Sequence, residues 1–337
     1  MASVSPTALR IPQTAPPIAA LPPAAGRPQW SVMIPAYNCT PYLREALRSV
    51  LAQDPGAAHM QIEVVDDAST DEDVAAVVAA LGAGRVQYYR QPTNVGSLRN
   101  FETCLNRAQG HLVHLLHGDD RVRPGFYAHL GQLFAQYPAA GAAFTHYASI
   151  DEQGIKIQDF GPVQPTAGIL PNWLPRIAEA QYIQYACMVV RREVYEHLGG
   201  FYGTNCGEDW EMWVRIACHY PVAYSPELLA EYRGHADSIS WEKAQQGQLL
   251  ADWAHVIARI EQHLLPAQRQ KIGQLARKRC AQLGIGDAYH VLAQTKNWSV
   301  AHGQLAQALR LSQHPATYYH VLKFYAKVLW DLRRLGL

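Results

Sequence analysis

The sequence contains no run approaching the 18 or so consecutive apolar residues that a membrane-crossing helix requires. Its longest small-apolar stretch, 74–84, is short, Ala-rich and bounded by acids and glycines. Charge is scarce: Asp, Glu, Lys and Arg make up 17% of the chain, and 29 Lys+Arg against 28 Asp+Glu leave a net charge of +1. A nucleic-acid binder that neutralises phosphates carries a clear basic excess, so no nucleic-acid partner is expected. Cysteine is also scarce, with six spread over 337 residues, no CxxC and no tight cluster. That excludes a dense disulfide framework and fits a reducing compartment. No GxxxxGK[ST] occurs, and the lone Gly82-Ala83-Gly84 precedes a strand pattern instead of following one, so the P-loop and the dinucleotide fingerprint are both missing. The N-terminus lacks a basic start, and prolines interrupt its apolar residues, so it does not read as a secretory signal. The expectation is a soluble, cytoplasmic protein.

What is present is enough to build a core: 49% of the residues are hydrophobic. The length suits two structural units, or one large α/β unit with an appendage. Residues 1–28 hold seven of the 21 prolines and only two charged residues, Arg10 and Arg27. Prolines this dense remove donors and block helix growth, so a flexible Pro/Ala-rich leader is expected there. From Trp30 onward, short apolar runs alternate with amphipathic stretches. Strands are expected at 31–34, 61–65, 85–90 and 111–116, each followed by a helix pattern. Thr40 with Pro41 reads as a helix start, and Ser69 with Glu72 as a capping box. A hairpin is expected around 151–154, strands at 185–190 and 221–224, a short helical stretch after the latter, and a helix at 208–218. Beyond Trp241 the pattern is nearly all helical. Repeated strand–helix alternation implies an α/β fold with right-handed crossovers and a mostly parallel sheet. The domain expectation is a leader at 1–28, a sheet domain at 29–240 and a helical region at 241–337.

The polar residues gather at the ends of those strands. Asn38 follows the first, Asp66 and Asp67 the second, Asn94 and Arg99 the third, and Asp119 and Asp120 the fourth. Ligands of open parallel sheets bind outside the carboxyl ends of the strands, so a pocket is expected there. An acidic pocket accepts phosphates when a divalent cation neutralises both sides, and Asp119 with Asp120 supplies hard oxygen ligands for one. The plainer alternative is a pair of aspartates capping a turn before Pro124. Asp67 can accept hydrogen bonds from a ring N–H and a ribose hydroxyl, or can cap a helix. Asn94 and Arg99 suit base or phosphate contacts, or the surface. Glu208 and Asp209 open a helix and are flanked by Trp210 and Trp213. Apolar walls raise a carboxylate's pKa toward that of a general base, although acids in a first helical turn are also the ordinary dipole pattern. Further on, in 232–238, Arg233 and His235 suit a diphosphate and metal site, although a lone histidine is more often structural and the chain has 15.

Seven segments in order, 31–38, 64–71, 94–96 with Arg99 and Asn100, 117–120, 199–201, 207–209 and 232–235, resemble the family 2 glycosyltransferases of the GT-A fold. The resemblance implies a Rossmann-like mixed sheet flanked by helices, with a helical C-terminal extension. It implies inverting transfer of a sugar from a nucleotide-activated donor, a UDP-sugar in the first instance, with Mn²⁺ or Mg²⁺. By this resemblance Pro35, Tyr37, Asp67, Asn94, Arg99 and Asp119 hold the nucleotide. Asp119, Asp120 and His235 meet the metal, and Asp209 is the base. Glu208, Trp210, Arg233 and Ser238 fall in the diphosphate and acceptor region. One departure stands out: many members have an acid where His117 stands, which shifts metal preference toward softer ions or weakens binding. The QxxRW element of processive polymerases is missing, so addition of one sugar to a carbohydrate or lipid-linked acceptor, in polysaccharide or glycoconjugate synthesis, is expected over polymerisation. The competing readings are a sugar nucleotidyltransferase, which lacks its Gly-rich basic loop here, and a non-catalytic scaffold that kept the fold.

The segment 318–337 reads as a helix with Lys323, Lys327 and Arg334 on one face and Tyr325, Val328, Leu329 and Leu332 on another. Such a helix either rests on anionic lipid at the inner face of a membrane or packs on its own domain.

Overall fold

Apolar runs too short for helices become the central strands. A computed structural model describes residues 10–22 and 26–334, apart from the side chains of 332–334. Strand β1 (Trp30–Ala36) is buried along its whole length. It pairs in parallel with β2 (Met60–Asp66) on one side and with β4 (Leu112–Leu115) on the other. Strand β3 (Gln87–Arg90) extends the parallel set beyond β2. The crossovers are α1 (Thr40–Leu51), α2 (Val74–Gly82) and α3 (Ser97–Arg107). This half of the sheet, β3-β2-β1-β4, is the parallel arrangement expected from the alternation.

The other half departs from a mostly parallel sheet. Strand β9 (Met188–Arg191) runs antiparallel to β4 and to β6 (Ala142–Ile150). Strand β10 (Val222–Arg233) then pairs in parallel with β6, and β5 (Arg121–Val122) lies antiparallel at the far edge. The short β7 (Lys156–Gln158) forms the expected hairpin with β6, and β8 (Gly168–Ile169) pairs with β10. The sheet is therefore mixed. Its polarity changes where β9, reached through a 3₁₀ turn at Tyr185–Cys187, inserts between β4 and β6. The helical stretch expected after residue 224 is absent. Strand β10 runs through it, absorbing Pro226 at register shifts between Ser225 and Leu228, where a residue without an N–H costs no ladder bond. The helices that follow up to β10 are α4 (Phe126–Gln136), α5 (Trp173–Glu179), α6 (Arg192–Leu198) and α7 (Glu208–His219).

Two caps also differ from expectation. The amide of Thr40 donates to Asp71, so the turn after β2 caps α1 from outside. Asp73, in place of Ser69, caps α2 by accepting from the Ala76 amide. The released Ser69 hydroxyl accepts from the Asn38 amide instead.

Residues 10–22, within the expected leader, lie along the sheet unit. Prolines lack donors, but their carbonyls still accept. Pro16 takes the Gly200 amide and Pro12 the Gly203 amide, each at 2.8 Å. Ala19 donates to Asn106 and accepts from Arg192, while Ile18 is buried. Extended Pro-rich chain thus becomes an ordered strap here, in place of the expected flexible leader; residues 1–9 and 23–25 lie outside the described residues.

The chain divides into two compact units. The first holds residues 1–173, 182–205 and 215–234, and the second 174–181, 206–214 and 235–337. This division interleaves, where a single boundary at 240/241 was expected. The second unit contains α8 (Ile239–Gln245), α9 (Leu249–His263), α10 (Pro266–Thr295), α11 (Trp298–Leu311) and α12 (Pro315–Arg334). Leu250, Ile285, Ala288, Leu292, Leu305 and Phe324 belong to its core.

Gly110 shows how tightly the first unit is built. A Cβ there would lie 2.4 Å from the Trp30 carbonyl carbon and 2.5 Å from the Ser31 nitrogen, both backbone atoms that cannot swing aside. Gly110→Ala should therefore cost about 1–3 kcal/mol, seen as a lower urea midpoint; an unchanged midpoint would show that the β1–β4 junction yields freely.

Candidate active site

Three of the parallel strand ends are tied to one another by backbone and side-chain bonds. Pro35, buried at the end of β1, accepts the Gly118 amide, and Ala36 accepts the Asp67 amide at 2.8 Å. Asn38 sits at φ 48° and accepts the Thr70 amide at 2.7 Å, a local role that suits an asparagine in left-handed backbone. Tyr37 is left 51% exposed beside these bonds.

The doublet Asp66-Asp67 divides its work. Asp66 is fully buried and accepts from the Ser69 amide, the Tyr88 hydroxyl and the Arg90 guanidinium, so it holds the turn. Asp67 points one oxygen at the Val95 amide, at 2.7 Å, and the other at the Gly96 amide, at 2.9 Å. Burial raises the pKa of Asp67, while the two amides and Arg10 oppose that shift. The loop carrying Asn94 is thereby locked to the end of β2. Asn94 itself accepts from Arg10 of the strap. Arg99, one turn into α3, pairs with Glu102 at 2.7 Å.

At the end of β4, His117, Asp119 and Asp120 each offer a ligand atom, and these atoms lie within 4.8 Å of one another. The His117 ring is stacked between Phe101 and Tyr185, with centroids 5.0 and 4.2 Å away. Its Nε2 is buried with no hydrogen-bond partner. Burial lowers the His117 pKa, with Asp119 opposing, so the imidazole is held neutral and able to donate a lone pair. Asp120 is buried, and burial followed by the like charge of Asp119 drives its carboxyl well above the usual range. Asp119 is the more accessible of the pair. A ring nitrogen and two carboxylates at this spacing, on a histidine whose Nε2 has no partner, fit a divalent cation.

Arg233, fully buried at the end of β10, fixes that turn. Its amide donates to Asp120 at 2.8 Å and its Nε to the Asp119 carbonyl at 2.8 Å. The remaining guanidinium nitrogens reach the carbonyls of Asp151 and Glu152 and the carboxylate of Glu45, and the ring of Tyr42 lies 4.7 Å from its carbon. Arg233, expected near a diphosphate, thus directs these donors to the protein itself. Glu45 and Tyr42 carried no signal in the sequence, because their roles arise only where α1 meets β10's end.

In the second unit, Asp209 stands near the start of α7. Its oxygens accept from the Gln181 amide group and the Trp210 backbone, each at 2.7 Å. Burial is the leading cause that raises its pKa to about 6. Trp210 is itself buried and donates its indole N–H to the Ile177 carbonyl. Glu208 is buried, and Ser238 caps α8 by accepting from Trp241. Gln181, 28 residues from Asp209, was invisible to sequence spacing. His235 belongs to this second unit and is not among the grouped ligands of the first.

The model of glycosyl transferase family 2 matches residues 31–199. The chain belongs to that family. This glycosyltransferase is 30% identical over 228 residues to the uncharacterized protein MT1568 of Mycobacterium tuberculosis, covering 61% of the chain and 67% of that relative. Two Rickettsia glycosyltransferases match at 25% and 24% identity, and the chain spans about a third of their length, 34% and 35%. Among solved structures, residues 1–349 of Staphylococcus aureus TarS in complex with UDP-GlcNAc superpose with a TM-score of 0.65 at 15% identity, covering 91% of this chain and 92% of that one. The mannosyltransferase PcManGT of Pyrobaculum calidifontis, in complex with GDP-Man and Mn²⁺, gives 0.55 at 18% identity over 97% and 86%. The mixed sheet flanked by helices is thus the GT-A fold, with a helical C-terminal region. Asp209, Arg233, His235 and Ser238 lie beyond the residues that the family model matches.

Replacing Arg233 by Met should destabilise this glycosyltransferase by about 3 kcal/mol, because three carbonyls, an amide-bonded Asp120 and Glu45 lose one shared cation. Arg233→Lys should recover only part of that, since one ammonium cannot reach all four acceptors. Equal urea midpoints for wild type and both variants would disprove the clamp.

Proposed function

We propose that this family 2 enzyme moves one sugar, with inversion, from a nucleoside-diphosphate sugar to a hydroxyl acceptor, with the help of a divalent cation. The observation that carries the reading is the grouping of a His117 ring nitrogen with Asp119 and Asp120 at the end of β4. Those three residues would hold the cation. Mn²⁺ suits a mixed nitrogen and carboxylate set better than Mg²⁺, which prefers oxygen alone. The cation supplies charge neutralisation for the leaving diphosphate. His235 stays in the proposal as a further contact to the diphosphate.

The nucleoside is assigned to Pro35, Tyr37, Asp67, Asn94 and Arg99, with Asp119 serving the ribose as well as the cation. The two amide bonds to Asp67 set its direction and favour its ionised form, which leaves lone pairs for a base N–H. UDP is the proposed nucleotide, in line with the UDP-GlcNAc that TarS carries. A carbohydrate or lipid-linked saccharide, in cell-surface polysaccharide or glycoconjugate synthesis, is the proposed acceptor, and the missing QxxRW element supports single addition.

Asp209 acts as the base. As the acceptor oxygen attacks the anomeric carbon opposite the leaving group, its proton passes to the Asp209 carboxylate, and no enzyme nucleophile is required. Gln181 and the Trp210 amide keep that carboxylate aimed. Glu208 and Trp210 are assigned to the acceptor side. Arg233 and Ser238 act as positioning residues, the one for the Asp119–Asp120 turn and the other for the start of α8.

Two measurements test these roles. Asp209→Asn should retain Mn²⁺–UDP binding, read as thermal stabilisation, and lower transfer by at least about a thousandfold; Asp119→Ala should lose the Mn²⁺-dependent part of that stabilisation. Normal transfer by both variants would refute the assignments. A base must be ionised to work, and burial holds Asp209 protonated up to about pH 6. The rate at low substrate should therefore climb as pH rises through about 6 and then level; a flat profile from pH 5 to 8 would exclude Asp209 as the base.

A further inference from the structure

The last helix of the second unit, α12, buries one side and leaves the other bare. Phe324 and Val328 enter the helical core with Leu250 and Ile285. Away from that side, Tyr318, Tyr319, Leu322, Leu329 and Trp330 are each between 48% and 68% exposed. The sequence pattern had put Val328 with Leu329; at 3.6 residues per turn they are separated, and Val328 goes inward. The side chains of Leu332 and Arg334 lie outside the described residues.

The charges of this bare surface are of one sign. Lys323 and Lys327 are exposed along it, with the Lys327 ammonium 3.6 Å from the centre of the Tyr289 ring. The helix has a single acid, Asp331, and that carboxylate receives the Tyr289 hydroxyl. At the N-terminal end of the same helix, a cavity of about 400 Å³ is lined by Lys271, Lys278 and His314, together with Arg277, which is tied to Glu261. None of the described helices is long and apolar enough to cross a membrane. Tyrosine and tryptophan on an exposed apolar stripe, lysines beside it and no competing carboxylate are what a helix lying in a membrane interface requires.

We propose that the outer surface of α12 docks on an anionic lipid surface. Its aromatic and leucine side chains enter the headgroup region, and Lys323, Lys271 and Lys278 meet lipid phosphates. The 20-residue helix would lie along the surface for about 30 Å. This contact is independent of the transfer chemistry proposed above.

The full chain centrifuged with vesicles tests it. Protein should sediment with phosphatidylcholine–phosphatidylglycerol vesicles, less with phosphatidylcholine alone, and less again at high salt, which screens the lysines. Leu322→Glu with Trp330→Glu should cut partitioning about tenfold, and Lys271→Glu with Lys278→Glu should remove most of the preference for anionic lipid. Leu322→Gln with Trp330→Gln reads the same surface without adding charge. All three pairs should leave the Mn²⁺–UDP thermal stabilisation unchanged, which separates this proposal from the donor site. Wild-type sedimentation by the two Leu322/Trp330 pairs would overturn it. So would failure to bind vesicles in a protein that runs as a dimer and that the same substitutions make monomeric, because the surface would then belong to a second copy.

Discussion

A single buried guanidinium organises the acidic end of this sheet. Arg233 closes β10 and bonds the backbone of Asp119, while its own amide holds Asp120. Two neighbouring carboxylates in a buried turn repel each other and lose hydration, and each penalty favours protonation or unfolding of the turn. Arg233 offsets both at once. Tyr42 beneath it and Glu45 beside it keep the guanidinium in one orientation. The turn that groups the three ligand atoms is therefore set by a residue more than a hundred positions away in the chain.

The same division of labour occurs at each acid doublet of the sheet unit. Asp66 is saturated by its own turn and by β3, whereas Asp67 next to it faces the 94–96 loop. Asp120 is buried under Arg233, whereas Asp119 is open enough to meet a ligand. One acid of each pair fixes the backbone so that the other can be aimed without conformational cost, and aimed groups are what charge stabilisation in a transfer reaction needs. Asp209 is arranged differently. It is steadied by Gln181 and the Trp210 amide, and burial raises its basicity.

The parts outside the family match contribute order of another kind. The proline-rich strap is held by carbonyl acceptors and brings Arg10 to Asn94, next to the amides that Asp67 binds. Proline content alone pointed to flexibility, because it counts lost donors and ignores the acceptors that remain. The helices of the second unit use a glycine as a seat: a Cβ at Gly284 would meet the Leu250 side chain at 2.6 Å, so the leucine of α9 packs directly on the α10 backbone.

Much of this was legible in the residues themselves. Short apolar runs and their spacing specified β1, β2, β4 and the parallel half of the sheet, and the same spacing put Asn38, Asp67, Asn94 and Asp119 at strand ends. Local signals of that kind act over one or two turns of chain, and they failed where long-range pairing took over: β10 continued through Pro226, Asp71 replaced Thr40 as the cap of α1, and β9 reversed the sheet. His117 read as a lost carboxylate because sequence shows only its identity. Stacking by Phe101 and Tyr185 and the burial of its nitrogen turn it into a candidate ligand. Residue type and period thus determined the elements and the chemistry available at their ends. Only the tertiary structure decided which groups are consumed by the protein and which remain for a ligand, because hydrogen-bond saturation and burial depend on neighbours that the linear order does not place together.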